Sequence, residues 1–338
     1  MENLFDRMEE MMREKPFVGM GISVEGRHQG TQILWSGDTC LCSEGDVSAA
    51  AWLPKLKEAQ SGTCIRLEED RFFVQRYSPQ QELVIFGGGH ISGALVPLGK
   101  MLGFQVTVTD DREAFASAER FPEADRVLCG EYTEIFRELE ETQAGYYVVV
   151  TRGHLGDKEC VRRILQRPFR YAGMIGSRKK VAQTKEDLRK EGFADGLLEQ
   201  LHAPIGLKIG AETPEEIAVS IAAELIQVKN QEKTQVMDEK VLQALTAPGE
   251  KVLAMIVEKK GSAPRGAGTC MVVRKDAAPA GTIGGGAIEY EVQRHAEEML
   301  RRNLETDRKI YELNNIHSAE LGMICGGSNE VFFLRVAK

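Results

Sequence analysis

The sequence has no excess of positive charge, no C-x-x-C pair, no apolar run long enough to span a bilayer, and no signal-peptide-like start. Acidic residues outnumber basic ones, 51 against 43, so the chain as a whole does not attract nucleic acid or an acidic membrane surface, and neither is an expected partner. Seven cysteines without a paired motif point to reduced thiols in a cytoplasmic protein, most of them core residues, and not to a disulfide framework. Met1 to Lys15 alternates charge with Leu4, Phe5, Met8, Met11 and Met12, the pattern of a short amphipathic helix. No tyrosine is followed by a lysine four residues on, and no obvious hydride-transfer acid is present.

What is there suits two or three globular domains in 338 residues. The middle third, 81–230, is the most legible. Leu83 to Phe86 is an apolar run that meets Gly87, Gly88 and Gly89, then a helical pattern through Leu95, Leu98 and Leu102, with Pro97 inside it as an expected bend. Further strands are expected at Val106–Thr109, Arg126–Leu128, Tyr146–Val150 and Ala172–Ile175, with helices between them, which implies a parallel, doubly wound α/β sheet. Thr213, Pro214 and Glu216 mark a capped helix start, and the polar run 229–234 reads as a linker.

The third region, 236–338, reads as a small α+β unit. It has strands at Val252–Val257, Cys270–Val273 and Val331–Val336, and an amphipathic helix through Ile288, Val292, Ala296, Met299 and Leu300. The first region, 1–80, repeats that order without the glycines: Phe17–Val24, Thr31–Trp35, a helix after Asp46, then Phe72–Arg76. Cys42 to Gly45 stands where Gly284 to Gly286 would fall. This suggests a duplication whose first copy kept a fold and lost a site.

Two sets of residues carry chemistry. Gly87, Gly89, His90 and Gly93 open a helix directly after a strand, and Asp110 ends the next strand, where a ribose hydroxyl would bind. This is the arrangement of a Rossmann-like nucleotide site, or of a turn that uses its glycines for geometry alone. Ser177 and Arg178 begin another helix, which suits a phosphate or is simply a solvated basic turn. In the third region, Gly281 to Gly286 runs into a helix, and the three successive glycines Gly284, Gly285 and Gly286 are poorly explained by a turn alone. Glu289 falls in that helix's first turn, as a cap or as a functional carboxylate. Ser262 and Arg265 offer a second wall for an anion. Cys325 precedes Gly326 and Gly327 and is expected to be more exposed than Cys129 or Cys270, as a functional thiol and not the buried inert thiol that is the default for cysteine.

The segments GSAPRGAGTCMVV, GTIGGGAIE and GMICGGSNEVFF, with LVIFGGGHISGAL, VTDDR, GMIGSRKK and APIGLKIGAETPEEIAVSIAAELI, resemble the XdhC/CoxI family of molybdenum hydroxylase maturation factors. The order of the parts differs from what is common there, and Thr151-Arg152-Gly153-His154 replaces a Thr-His-Asp-His pattern. The resemblance implies a Rossmann-like sheet flanked by small α+β domains, in a cofactor-binding chaperone more than a conventional enzyme. It also implies binding of molybdenum cofactor (molybdopterin) and its handover, in sulfurated form, to an apo-hydroxylase with help from a cysteine desulfurase. Cys325 would meet the metal or carry sulfur, and a homodimer is compatible. The alternatives are an NAD(P)-dependent oxidoreductase built on the central domain and a non-catalytic scaffold for desulfurase and hydroxylase.

Overall fold

The computed structural model describes residues 3–37, 39–42, 49–142, 145–231, 233–261, 265–312 and 327–336. The chain divides into two compact units: Met1–Ser78 with Lys233–Lys338, and Pro79–Glu232. The first and third regions, expected as separate domains, therefore share one body.

The first unit begins with α1 (Leu4–Glu14), β1 (Val18–Glu25), β2 (Gln32–Ser36), β3 (Thr39–Cys42), α2 (Ala49–Glu58), β4 (Thr63–Leu67) and β5 (Asp70–Ser78). Asn3 caps α1, its side chain accepting from the amides of Phe5 and Asp6, and the Asp6 carboxylate accepts from the Asn3 amide. Strand β1 alternates Met20, Ile22 and Val24 on one face with Gly19, Gly21 and Ser23 on the other. A Cβ at Gly19 would lie 2.1 Å from the Trp35 ring, so the missing side chain is what lets the indole lie flat on the sheet.

The second unit contains β6 (Glu82–Phe86), α3 (His90–Met101), β7 (Gln105–Asp110), β8 (Arg126–Cys129), α4 (Tyr132–Glu138), β9 (Gly145–Val149), α5 (His154–Ile164), β10 (Tyr171–Met174), α6 (Arg178–Lys190), α7 (Asp195–Glu199) and α8 (Pro214–Lys229). Its five strands are parallel in the order β10-β9-β6-β7-β8, the doubly wound Rossmann arrangement. Leu83–Phe86 of β6 and Tyr146–Val149 of β9 are buried on both sides because helices cover both faces. Residues of α3 and α8 fill one side and residues of α4, α5, α6 and α7 the other. Helix α3 continues through Pro97, and α8 carries the expected Thr213–Glu216 capping box. Cys129, expected to be covered, is exposed because β8 is an edge strand.

The chain then returns to the first unit with β11 (Gln235–Val236), α9 (Glu239–Thr246), β12 (Lys251–Lys260), β13 (Cys270–Arg274), β14 (Ala277–Gly281), α10 (Gly286–Arg302), β15 (Thr306–Glu312) and β16 (Ser328–Val336). One sheet runs β11-β5-β1-β2-β3, with β4 also on β5, and the other β14-β13-β12-β16-β15. A common core joins them: Met20, Ile22 and Val24 bury with Leu253, Met255, Val257 and Phe332, and α1 and α9 close it. Each fully buried aliphatic side chain there stabilises by about 2 kcal/mol. The outer faces are covered by α2, through Trp52 and Leu56, and by α10, through Val292, Ala296 and Met299.

Candidate functional site

In the second unit the winding reverses at β6, between β7 and β9, and ligands of such sheets bind outside the carboxyl ends of the strands at that point. Gly87 to Gly89 lie there, and packing accounts for two of them. A Cβ at Gly87, which has φ of 109°, would fall 2.5 Å from the Val150 carbonyl oxygen, and one at Gly88 would fall 2.0 Å from that of Phe115. Gly89 and Gly93 are different, for nothing stands within 4 Å of either Cβ position. Gly89 caps α3 without a side chain, so the amides of the first turn, beginning with exposed His90, have no intrahelical acceptor. Bare backbone and a helix N-terminus together suit a phosphate.

Asp110 ends β7 as expected, yet its carboxylate is fully engaged. It accepts from the Gly88 amide at 2.7 Å, the Arg112 amide at 3.0 Å, and Arg112 Nε and Nη2 at 2.8 and 3.0 Å. Burial opposes its ionisation, but the bonds from Arg112 and Gly88 outweigh that and lower its pKa. The Arg112 guanidinium stacks on Phe115 at 3.7 Å, and Arg120 Nε donates to the Gly88 carbonyl at 2.9 Å. In this arrangement Asp110 clasps the glycine turn; a ribose hydroxyl would have to displace Arg112.

Ser177 caps α6 by accepting from the Lys180 amide at 3.3 Å, and both it and Arg178 are exposed. Behind them lies a group that sequence reasoning passed over. Asp157, fully buried, accepts from the Thr151 hydroxyl at 2.5 Å and pairs with Lys180 Nζ. Burial pushes its pKa up despite both partners. The signal was within reach, since Lys180 belongs to the Ser177–Lys180 motif and Asp157 follows the Thr151–His154 segment by one helical turn.

In the first unit Gly284, Gly285 and Gly286 all take left-handed φ values, 127°, 74° and 67°. Gly285 and Gly286 have open space where a side chain would be, so the left-handed backbone and not packing selects glycine there. Glu289, one turn into α10, reaches back to this loop. Its carboxylate accepts from the Thr282 hydroxyl and from the amides of Gly285 at 3.0 Å and Ile283 at 3.3 Å, and these bonds, Thr282 foremost, lower its pKa. The loop thus holds an anionic oxygen supplied by its own helix. Arg265 is exposed before β13, and Gly327 is buried immediately before β16. Ser262, Cys325 and Gly326 lie outside the described residues, so the expected convergence of Gly285 with Cys325 does too.

Apart from exposed Cys129, the thiols with described side chains read as structural. Cys160 and Cys270 are buried, Cys40 and Cys64 half-buried, and burial raises the pKa of each. Among the described residues no cluster of His, Cys, Asp and Glu could hold a metal ion, and no helix is long and apolar enough to cross a membrane.

The profile of the XdhC Rossmann domain matches residues 83–225, and that of the XdhC and CoxI family matches residues 244–308. The chain is similar to an uncharacterized Escherichia coli protein, YqeB, at 33% identity over 158 residues, 47% of this chain and 29% of that one. It is also similar to a Bacillus subtilis protein described as a probable subunit of xanthine dehydrogenase, at 32% identity over 157 residues, 46% of each chain. The matched stretch thus spans less than half the length of either relative. A solved xanthine dehydrogenase structure from Bacillus halodurans superposes with a TM-score of 0.55 at 25% identity, covering 68% of this chain and 67% of that one. Two family profiles in one chain, one on the doubly wound sheet and one across the glycine loop, make this protein a member of the XdhC and CoxI family.

Proposed function

We propose that this protein is a maturation factor for a molybdenum hydroxylase of the xanthine dehydrogenase type. It holds molybdenum cofactor as cargo at the glycine loop before α10 and supports its sulfuration and insertion. The observation that carries the reading is the carboxylate of Glu289 seated on the amides of Ile283 and Gly285. That turn is built around an anionic oxygen, and its left-handed backbone at Gly285 and Gly286, which favours glycine, leaves open space beside it. A molybdopterin phosphate that displaced Glu289 would be an anion of the right kind for such backbone, with the Arg265 guanidinium a candidate partner.

In this reading Cys325 supplies a thiolate to the metal or to a transferable sulfur. A cysteine desulfurase is the source of that sulfur and an apo-hydroxylase is the recipient. The xanthine dehydrogenase names of the Bacillus relatives support the recipient's class. The Rossmann unit binds a phosphate-bearing nucleotide at Gly89 and Gly93. The clasp on Asp110 weighs against ribose recognition of the kind an NAD-dependent dehydrogenase uses, and so against the oxidoreductase alternative.

The test is molybdenum and pterin analysis of the protein purified from cells that make the cofactor. Stoichiometric retention is expected; protein free of both metal and pterin would refute the carrier role.

A further inference from the structure

The two sheets of the first unit are wound alike. Taken from β1 and β12, strand partners run β4-β5-β1-β2-β3 and β15-β16-β12-β13-β14, each antiparallel throughout. The register agrees residue by residue except in the outer hairpin, where β13 and β14 shift between Val272 and Arg274 and β2 and β3 do not. Ile22 pairs with Phe73 and Gln32 as Met255 pairs with Phe332 and Cys270. Cys64 opposes Phe73 as Arg308 opposes Phe332, and the bulge falls at Val24 in one and Val257 in the other. On that register Cys42 matches Gly281, where the glycine loop begins.

Contacts between the halves are reciprocal. A Cβ on Gly30 would approach Leu334, and one on Gly268 would approach Gln75, the residue that matches Leu334. Arg71 and Glu330 match each other and meet at 3.0 Å. A residue that touches its own counterpart lies at a twofold axis. In a pair of identical units the same side chain would stand on both sides there, and a charged one would face its like. Here the two positions carry opposite charges. Arg71 also donates to Glu258, and Arg308 to Glu25 and Glu330.

We infer that the N-terminal half occupies the place of a second copy of the C-terminal half, so that the chain carries its own dimer partner, fixed in one orientation by the opposite charges at Arg71 and Glu330. The face that one such unit would offer to its like is closed within the chain, and only one of the two halves keeps the glycine loop. The seam is also filled unequally. Where Arg308 reaches across on one side, its counterpart Cys64 leaves a cavity of about 440 Å³ lined by Thr63, Arg71, Glu258 and Lys259.

The symmetry dictates a test in the full chain. R71E sets a carboxylate against Glu330 and Glu258 and is expected to lower Tm by ~5 °C. R71E/E330R restores the opposite signs but sets the arginine of E330R against Arg308. Adding C64R and R308C exchanges the remaining charge difference among the side chains that bond to Arg71 and Glu330 and regenerates that local pattern rotated about the axis, with the cavity beside Cys64 to receive the longer side chain. The fourfold variant is therefore expected to melt above the double and near the parent. A fourfold variant that melts below the double means the halves are not related by a twofold, and the inference fails. Should R71E not yield folded protein, the ranking of double, fourfold and parent decides alone.

Discussion

Glu289 turns back along α10 so that its carboxylate accepts from the amide of Gly285 at 3.0 Å, four residues upstream. The side chain fixes the glycine loop from within. Replacing it as Glu289→Gln keeps the size but removes the charge from a loop whose bonds favour the ionised form. Loss of such a charged cap is expected to destabilise the protein by about 1 kcal/mol. It also leaves the amides of Ile283 and Gly285 with a weaker acceptor, so a bound phosphate should be held more tightly. Thermal melts and inorganic phosphate titrations of E289Q check the two effects separately.

Lys180 and Asp157 form an ion pair in which the carboxylate is fully buried and the ammonium is one-quarter exposed. Lys180→Met would leave Asp157 with the neutral Thr151 in place of a charged partner. Removing one partner of a buried pair is costly, and with partial exposure discounted the expected loss is about 2–3 kcal/mol. Asp157→Asn in the same background should recover part of it. Urea denaturation of the single and double variants gives the comparison.

Gly88 and Gly93 separate structure from binding. Gly88→Ala drives a Cβ to within 2.0 Å of the Phe115 carbonyl oxygen, a backbone clash expected to cost about 2 kcal/mol. Gly93→Ala meets open space on a helix and should stabilise by about 0.5–1 kcal/mol. If the turn holds a nucleotide by close approach, G93A will weaken nucleotide binding while raising Tm. Unchanged affinity in equilibrium dialysis would leave the glycine with no ligand role.

Glu224 supplies a pH dependence. It accepts from the Tyr171 hydroxyl at 2.5 Å and the Gly206 amide at 2.9 Å, with His202 Nδ1 at 3.1 Å. Burial opposes ionisation, but the bonds from His202, Tyr171 and Gly206 outweigh it, and the folded pKa lies below the ordinary value. Its contribution is therefore complete above the unfolded carboxylate pKa of about 4.3 and is lost as pH falls through the lower folded value. Melts between neutral and acidic pH should show E224Q with a shallower acid-side decline than the parent.

Much of this fold was legible because its signals are local. The Thr213–Glu216 capping box, the glycine turn after β6 and the apolar parallel strands follow from neighbouring residues. Strand β15 was not legible. It is an edge strand that exposes Arg308, Lys309 and Ile310, so no burial pattern marks it. The engagement of Asp110 by Arg112 was equally hidden, since a strand-end carboxylate looks the same in sequence whether it waits for a ribose or clasps its own turn. The union of the first and third regions depends on contacts between residues such as Arg71 and Glu330, which lie far apart in the chain.

Cys325 is the residue on which the transfer chemistry rests. The described thiols are poor candidates, for burial holds Cys160 and Cys270 in the neutral form and pushes Cys64 up to about 11. Cys129 is exposed on an edge strand, which makes it the natural control. Cys325→Ala removes one sulfur and is expected to leave the melting temperature and circular dichroism unchanged while abolishing hydroxylase activation. Cys129→Ala should leave both intact. Retention of cofactor by C325A would assign the thiol to sulfur transfer, and loss of cofactor would assign it to the metal. A C325A protein that supports full activation would refute both roles.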